Sequence, residues 1–481
     1  MLRQFCKRFF CLPYWKEKQR DPTLPDTRQA YRNVLDIAVP SVAEMLLISL
    51  ISSVDMMMVG TLGKEALSAV GLTSQPRLVV LCFFTALNVG VSAVCAHRKG
   101  EGRRQEANQT LRISLALSLL LSLALLALTL PFSEPLMRLA GGTDDNAQNA
   151  AVLSQAVDYF RILTYSLPLN ALSLSICAAQ RGIGRAKVTF QVNVLSNLIN
   201  VAFNYLLIEG RFGFPRMEVR GAAVASVIGI AAGFLFALLT VCGPRSPKRF
   251  LQLSLRGSWK AGDSLASVLK IGGNAMIEQI GMRIGFFICG RIYFALGTTQ
   301  FAAHQICMQV LNLTFAFGDG LGVAATSLVG QSLGQKRPEW AVAYGKICQR
   351  CAVVLSLALM ALLALGRQFI AQLYIDPQTT DAAQVVAAAA RTLVVLAFMQ
   401  PFQINAFAIA GGLRGAGDNL YVAVVAMVCV SLIRPALVYV SVYVLHFDLA
   451  AIWVMAMSEM ALRCLCFYPR FVSGQWKNIK V

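Results

Sequence analysis

Four asparagines and two carboxylates, all set in strongly apolar runs, are the residues of this chain best placed to do chemistry. Asn193, Asn197, Asn200 and Asn204 follow one another at intervals of 4, 3 and 4 residues, which places four amides in a single stripe of a helix. Facing hydrocarbon, such a stripe would cost several kcal/mol, so it is expected to face protein or a water-filled cavity. Two amides would suit interhelical glue, whereas four in register suit a polar lining. Glu44 and Asp55 are eleven residues apart, three helical turns to within about 20° and about 16 Å along the axis. They are therefore expected on one face of one helix, lining one cavity. Pro40, on the same run, removes a backbone hydrogen bond and allows a bend.

These residues need helices to carry them, and composition says what surrounds those helices. Of the 481 residues, 57% are hydrophobic and 14% charged, against roughly a quarter charged in an ordinary soluble domain. The chain cannot cover a soluble surface and is expected to face lipid, with the bilayer as its first partner. Twelve apolar windows long enough to cross hydrocarbon occur at about 35–59, 67–95, 110–131, 151–178, 188–208, 221–242, 265–292, 304–329, 342–366, 385–412, 420–445 and 449–468. Unbroken runs such as Leu115–Leu130 exclude the alternating strands of a membrane β-barrel. No secretory signal is read in the basic, proline-broken residues 1–34, so the first span is expected to act as the membrane signal.

The formal charge of +19 suggests nucleic acid at first, but 26 of the 43 Lys and Arg lie in alternate connectors and the two tails. That is the positive-inside pattern, with both termini cytoplasmic in a multi-pass plasma (inner) membrane protein, and no nucleic-acid partner is expected. Sliding the chain on itself by 234 residues superposes Glu44 on Glu278, Gly63 on Gly297, Gln75 on Gln309, Gly100 on Gly334 and Arg103 on Arg337. A shift of 233 superposes Pro168 on Pro401, Arg181 on Arg414, Gly182 on Gly415 and Gly184 on Gly417. The expected fold is an all-α polytopic membrane protein of twelve transmembrane helices, in two six-helix lobes related by a parallel internal repeat. Its parts are a basic N-terminal segment 1–34, a first lobe 35–242, a cytoplasmic linker 243–264, a second lobe 265–468 and a tail 469–481.

The repeat separates shared acids from private ones. Asp36, Glu44, Asp55, Asp158, Glu278, Asp319 and Glu459 lie within spans, where acids are costly and point to function; Asp36 and Asp158 sit near span ends. Asp55 has Cys289 as its counterpart, so the first half alone keeps that acid, with capping of the outer helix end near Gly60 and Gly63 as the plainer reading. Glu278, beside Gln279 and five residues before Arg283, reads equally as a ligand site or a structural ion pair. Asp319 lies in a glycine-rich stretch, Gly318–Gly322, read as flexible. Gln403 and Asn405 follow Pro401 and are candidates to line the second lobe. The thirteen cysteines lie mostly in apolar runs and read as inert, and Cys348 with Cys351 completes no metal set. Without a Walker loop, a Rossmann fingerprint or a hydrolase motif, neither ATP drive nor an enzyme is expected.

The sequence resembles the multidrug and toxic compound extrusion (MATE) transporters. The resemblance rests on Pro40 followed by Val54-Asp55-Met56-Met57-Met58-Val59-Gly60, on Ala325-Thr326-Ser327-Leu328-Val329-Gly330-Gln331-Ser332-Leu333-Gly334, and on Leu413-Arg414-Gly415-Ala416-Gly417-Asp418, and it spans about residues 33–470. It implies secondary antiport by alternating access: organic, often cationic drugs leave through a cavity between the lobes as protons, or alternatively sodium, enter. No cofactor is implied, and a monomer is expected. Asp55 matches the coupling acid of the first helix, with a sodium ion possible there; Pro40 matches the proline at which that helix bends, and Asn200 and Asn204 the polar pair of the fifth. Some proton-coupled members carry Asp at the position of Asn204. The seventh-helix acid of others falls at Met282 here, and a tenth-helix acid near Gln403 or Asn405. A lipid-linked oligosaccharide flippase and a passive channel are the other two readings; the flippase would need several arginines such as Arg161, Arg283, Arg291, Arg391, Arg434 and Arg463 free in its cavity rather than paired.

Overall fold

In a bilayer each backbone N–H and C=O must find its partner within the chain, so long apolar runs fold as helices. The computed structural model describes residues 25–60, 62, 64–140, 147–242, 250–253, 262–294, 296–374 and 382–479. Residues 1–24, most of the expected linker and Gly63 lie outside the described residues. Among those described there is no strand. The helices are α1 (Thr27–Gly60), α2 (Lys64–Gly100), α3 (Arg104–Thr129), short α4 (Ser133–Leu139), α5 (Ala147–Tyr165), α6 (Leu167–Gly182), α7 (Ala186–Leu207) and α8 (Glu218–Val241) in the first half. The second half has α9 (Gly262–Phe294), α10 (Thr298–Gly334), α11 (Pro338–Gln372), α12 (Ala382–Gly415), α13 (Asn419–Met427), α14 (Arg434–Tyr439) and α15 (Leu449–Ser473).

Counting α5 with α6, and α13 with α14, as single spans, each half supplies six at the expected places, and the fold is the all-α polytopic one. Eight described spans are individually long and apolar enough to cross a membrane, and the α5/α6 pair makes a ninth. Outside that set are α1, α7 and α9, the helices that carry Asp55, the asparagines and Glu278.

Two spans are less regular than their hydropathy suggested. The expected span at 151–178 is bent by 51° between α5 and α6. Pro168 near the start of α6 has no N–H to give, and the Ser166 hydroxyl donates to the Leu163 carbonyl at the bend, 2.7 Å. The expected span at 420–445 contains two π turns, Val428–Ile433 and Val440–Val444, on either side of α14.

The repeat extends to the turns. Gly102 (φ +71°), Gly184 (+82°), Lys336 (+58°) and Gly417 (+91°) all adopt the left-handed conformation. After each, the next N–H reaches back to close a Schellman motif: Arg103 to the Arg98 carbonyl and Arg337 to that of Ser332, both 3.0 Å, Arg185 to Gln180, 2.8 Å, and Asp418 to Leu413, 2.9 Å. Close helix packing repeats too. A Cβ on Gly182 would meet the Ser92 carbonyl oxygen at 2.3 Å, and one on Gly415 the equivalent Thr326 oxygen at 2.4 Å. Small residues at these points let helix backbones approach.

The chain divides into two compact units, Ala43–Gly272 and a C-terminal unit in which Gly273–Val481 is joined by residues up to Val42. The changeovers fall inside α1 and α9. α1 runs as one helix through Pro40. The stretch read as flexible, Gly318–Gly322, is regular helix in α10; a Cβ on Gly318 would meet the Phe407 ring at 3.0 Å and one on Gly320 the Val42 side chain at 2.3 Å. Its glycines serve close contact within the C-terminal unit, not flexibility.

Candidate functional site

The asparagine stripe of α7 serves two carboxylates of α1 separately. At its start, Asn193 donates to Glu44 Oε1 at 2.9 Å and to the Thr189 carbonyl at 3.1 Å. At its end, Asn204 donates to Asp55 Oδ1 at 2.8 Å. The Asn200 amide satisfies its neighbours when its nitrogen faces the same carboxylate, donating to Oδ1 at 2.8 Å and Oδ2 at 3.1 Å. Its oxygen then accepts from the Ser226 hydroxyl and backbone N–H, both at 3.1 Å. Asn197 lies half-buried between the two groups.

Packing of α8 on α7 sets this geometry. A Cβ on Gly229 would meet the Ser196 carbonyl oxygen at 2.6 Å and Asn200 Cβ at 2.9 Å, and one on Gly233 would meet Ser196 Cβ at 2.9 Å. The two glycines bring α8 close enough for Ser226 to reach Asn200. Tyr159 of α5 is buried beside Ser226. Ser226 and Tyr159 were not legible in the sequence, because neither stands out until α5, α7 and α8 are packed.

Asp55 is half-buried and forms no ion pair among the described residues; its close partners are neutral amides. Asn204 Oδ1 is buried and accepts no hydrogen bond there. The site thus offers a carboxylate and an unused carbonyl oxygen, hard donors suited to a proton or a small cation. It contains no cluster of His, Cys, Asp and Glu of the kind that binds transition metals, and none occurs elsewhere among the described residues.

Glu44 belongs to a different network from Asp55. It is 2% exposed and pairs with Arg181 of α6, Nη1 to Oε1, at 3.0 Å. About three turns separate the two acids, and although α7 serves both, only Glu44 also meets an arginine, that of α6. Glu278 repeats the arrangement in the C-terminal unit, where it is buried and pairs with Arg414 of α12; Arg283, its neighbour in sequence, is exposed. The internal repeat had superposed both acids and both arginines, and that double coincidence was the available signal for a duplicated scaffold pair.

The remaining candidates are held within the C-terminal unit. Gln403 is fully buried and donates to Thr314 Oγ1 at 3.2 Å. Asn405 donates to the Pro401 carbonyl at 2.7 Å, and Gln279 is half-buried. Cys289, the counterpart of Asp55, packs in an apolar cluster with Val310 and Trp453. Close to it the fully buried Glu459 is held by Arg463 at 2.9 Å and Arg434 at 3.8 Å, so these two arginines are engaged in pairs. Within α5, the partly buried Asp158 pairs with the exposed Arg220 of α8 at 2.6 Å. All eleven described cysteines are free.

Comparison with known proteins agrees with this architecture. The MatE family profile matches residues 40–206 and 275–440, one stretch in each half of the repeat. The chain is 27% identical over 442 residues to a probable multidrug resistance protein NorM of Agrobacterium fabrum, covering 92% of this chain and 93% of the relative. It is 26% identical over 450 residues to a probable multidrug resistance protein NorM of Thermotoga maritima, covering 93% of each. Among solved structures, a transporter of the MOP superfamily from Pyrococcus furiosus, described as having a binding pocket of reverse polarity that suggests a different function, superposes with a TM-score of 0.84 at 20% identity. The match covers 92% of this chain and 95% of that one. Both halves of the profile fall on the repeat that positions Asp55, and the chain belongs to the MatE family of multi-pass membrane transporters, which are not enzymes.

Proposed function

We propose that this protein is a secondary antiporter of the plasma membrane, acting as a monomer with both termini in the cytoplasm. In this reading it exports small organic compounds, mainly amphipathic cations, in exchange for protons. The names of the relatives, probable multidrug resistance proteins, support the substrate class. The observation that carries the exchange is the set of partners around Asp55: amides alone, at 2.8 Å from Asn204 and from Asn200.

An acid fixed by an arginine has its charge already answered. Asp55 has amides and no ion pair as its close partners among the described residues, so its charge is left to be neutralised by whatever arrives, a proton or an organic cation. The two compete for one carboxylate, and that competition is exchange. A proton arriving from outside removes the attraction that holds the substrate, and the direction of the gradient sets the direction of transport. The unused Asn204 Oδ1 supports sodium as the second reading, since a metal cation takes a carbonyl oxygen as a ligand and a proton does not need one.

The test is efflux of ethidium from proteoliposomes under an imposed proton gradient or an imposed sodium gradient, with Asp55→Asn beside the native protein. Proton-driven efflux that disappears in Asp55→Asn is the expected result. Drive by sodium alone selects the second reading. Full gradient-driven efflux in Asp55→Asn overturns both, and equilibration without accumulation identifies a channel.

A further inference from the structure

The charge cluster of the C-terminal unit does not close on itself. Arg434 and Arg463 are 3% and 8% exposed, and the carboxylate between them, Glu459, is fully buried. Arg463 holds that carboxylate from one turn away on α15, Nε to Oε2 at 2.9 Å and Nη2 to Oε1 at 3.3 Å. Arg434 stands 3.8 Å from Oε1, beyond hydrogen-bond reach. Its Nη2 donates to the Met457 thioether at 3.4 Å, a weak acceptor, and its guanidinium lies over the Phe286 ring of α9 at 4.9 Å. Among the described residues no second acid pairs with either arginine. Two buried positive charges therefore share one negative charge, and Arg434 donates to no oxygen there.

A hydroxyl close by in the chain is also unanswered. Ser431 of the first π turn, Val428–Ile433, has a buried Oγ with no partner among the described residues. Ser441, in the second π turn, returns its proton to the Leu437 carbonyl at 2.6 Å. Ser431 instead lies against α9, where a Cβ on Gly281 would meet its Oγ at 2.9 Å. Arg434 reaches the same stretch of α9 at Phe286. The two unanswered donors thus flank one segment, residues 281–286, and the turn that carries them is of the kind often kept at binding sites.

Electroneutrality names the missing partner. A charge taken out of water without a counter-charge is costly, and an arginine cannot shed its proton to escape the cost. One monovalent anion brings the cluster to zero, whereas a cation would add to the surplus and a divalent anion would overshoot it. Close packing on α9 admits only a small ion, and a weakly hydrated one gives up its water most readily. We propose that the C-terminal unit binds one halide ion, chloride in the cell, against Arg434, with the Ser431 hydroxyl as the second donor. The ion is a fixed counter-charge, independent of the exchange read at Asp55.

The test is a chloride titration of the detergent-purified full chain, prepared in gluconate and held at constant ionic strength. The thermal midpoint is followed by intrinsic fluorescence, and radiolabelled chloride is counted by equilibrium dialysis. The native protein should show a saturable rise of about 2–4 °C, reproduced by bromide and not by sulfate, with one chloride bound per chain. Arg434→Met leaves Arg463 and Glu459 as a neutral pair and should be folded in gluconate, insensitive to chloride and unable to bind it. An arginine with only a packing role would lower the midpoint equally in both salts. Ser431→Ala should keep the rise but need about fivefold more chloride to reach it. Glu459→Gln, with the surplus doubled, should depend on chloride more steeply than the native protein. A native midpoint equal in chloride and gluconate, a rise that sulfate reproduces or that never saturates, or a rise that persists in Arg434→Met overturns the proposal. If Arg434→Met or Glu459→Gln does not fold, Ser431→Ala decides, and an unshifted titration there overturns it.

Discussion

The two halves of the repeat surround an acid inside their helices in opposite ways. In the N-terminal unit Asp55 is surrounded by amides, with donors at 2.8 Å from Asn204 and Asn200 and no ion pair among the described residues. In the C-terminal unit its counterpart is Cys289, in an apolar cluster, and the fully buried acid nearby, Glu459, is clamped between Arg463 and Arg434. A π turn holds one residue more than an α turn. The first of the two, Val428–Ile433, returns the repeat from an offset of 233 to one of 234, which makes Arg434 the counterpart of Asn200. Where one half places an amide against an acid, the other places a guanidinium beside a thiol. Both halves meanwhile keep the same scaffold pair, Glu44 with Arg181 and Glu278 with Arg414. Paired charge holds helices in place, whereas a charge met only by dipoles remains open to exchange.

Breaking the clamp should have the largest effect. Glu459→Gln leaves Arg434 and Arg463 buried without their carboxylate and should cost about 3–5 kcal/mol of stability, read as a steep fall in the thermal midpoint of the purified protein. A midpoint within a degree or two of the native one would mean that the cluster is solvated. Asp55→Asn should leave the midpoint near native and lower gradient-driven efflux about a hundredfold, or about 2.7 kcal/mol. A large loss of stability with no specific loss of transport would make Asp55 a scaffold residue like Glu44.

The shared scaffold permits a symmetrical test. Gly182→Ala and Gly415→Ala each force a Cβ to within 2.3 and 2.4 Å of a facing carbonyl oxygen and should cost about 1–3 kcal/mol apiece. Equal penalties, measured by thermal unfolding, are expected because the two contacts are repeat copies; a penalty confined to one would break the symmetry. The smallest effect should come from Ser226→Ala, which removes one partner of the Asn200 amide. A loss of about 1 kcal/mol in substrate affinity or efflux, with stability nearly unchanged, would place Ser226 in the exchange site, and no change at all would remove it.

Much of this molecule was legible in order along the chain. Hydropathy located all twelve spans, because the bilayer imposes a length on any helix that crosses it. The offset of 234 exposed Asp55 as unmatched and superposed Glu44 on Glu278, and the offset of 233 superposed Arg181 on Arg414, before their pairing was visible. The bend at Ser166 and the two π turns escaped, since each costs little in hydropathy and depends on local hydrogen bonds.

By itself, then, the sequence determined the class of fold, its duplication and the acid that the first half alone keeps, since these follow from linear properties: run length, periodicity and residue identity at a fixed offset. Only the tertiary structure decided what each charge is paired with. Arg181 reaches Glu44 across 137 positions, Ser226 reaches Asn200 because Gly229 and Gly233 let α8 close on α7, and Arg434 and Arg463 share one carboxylate, that of Glu459. The physical reason is that an electrostatic partner is chosen by distance through space, and distances between helices are set by the smallest side chains at their contacts.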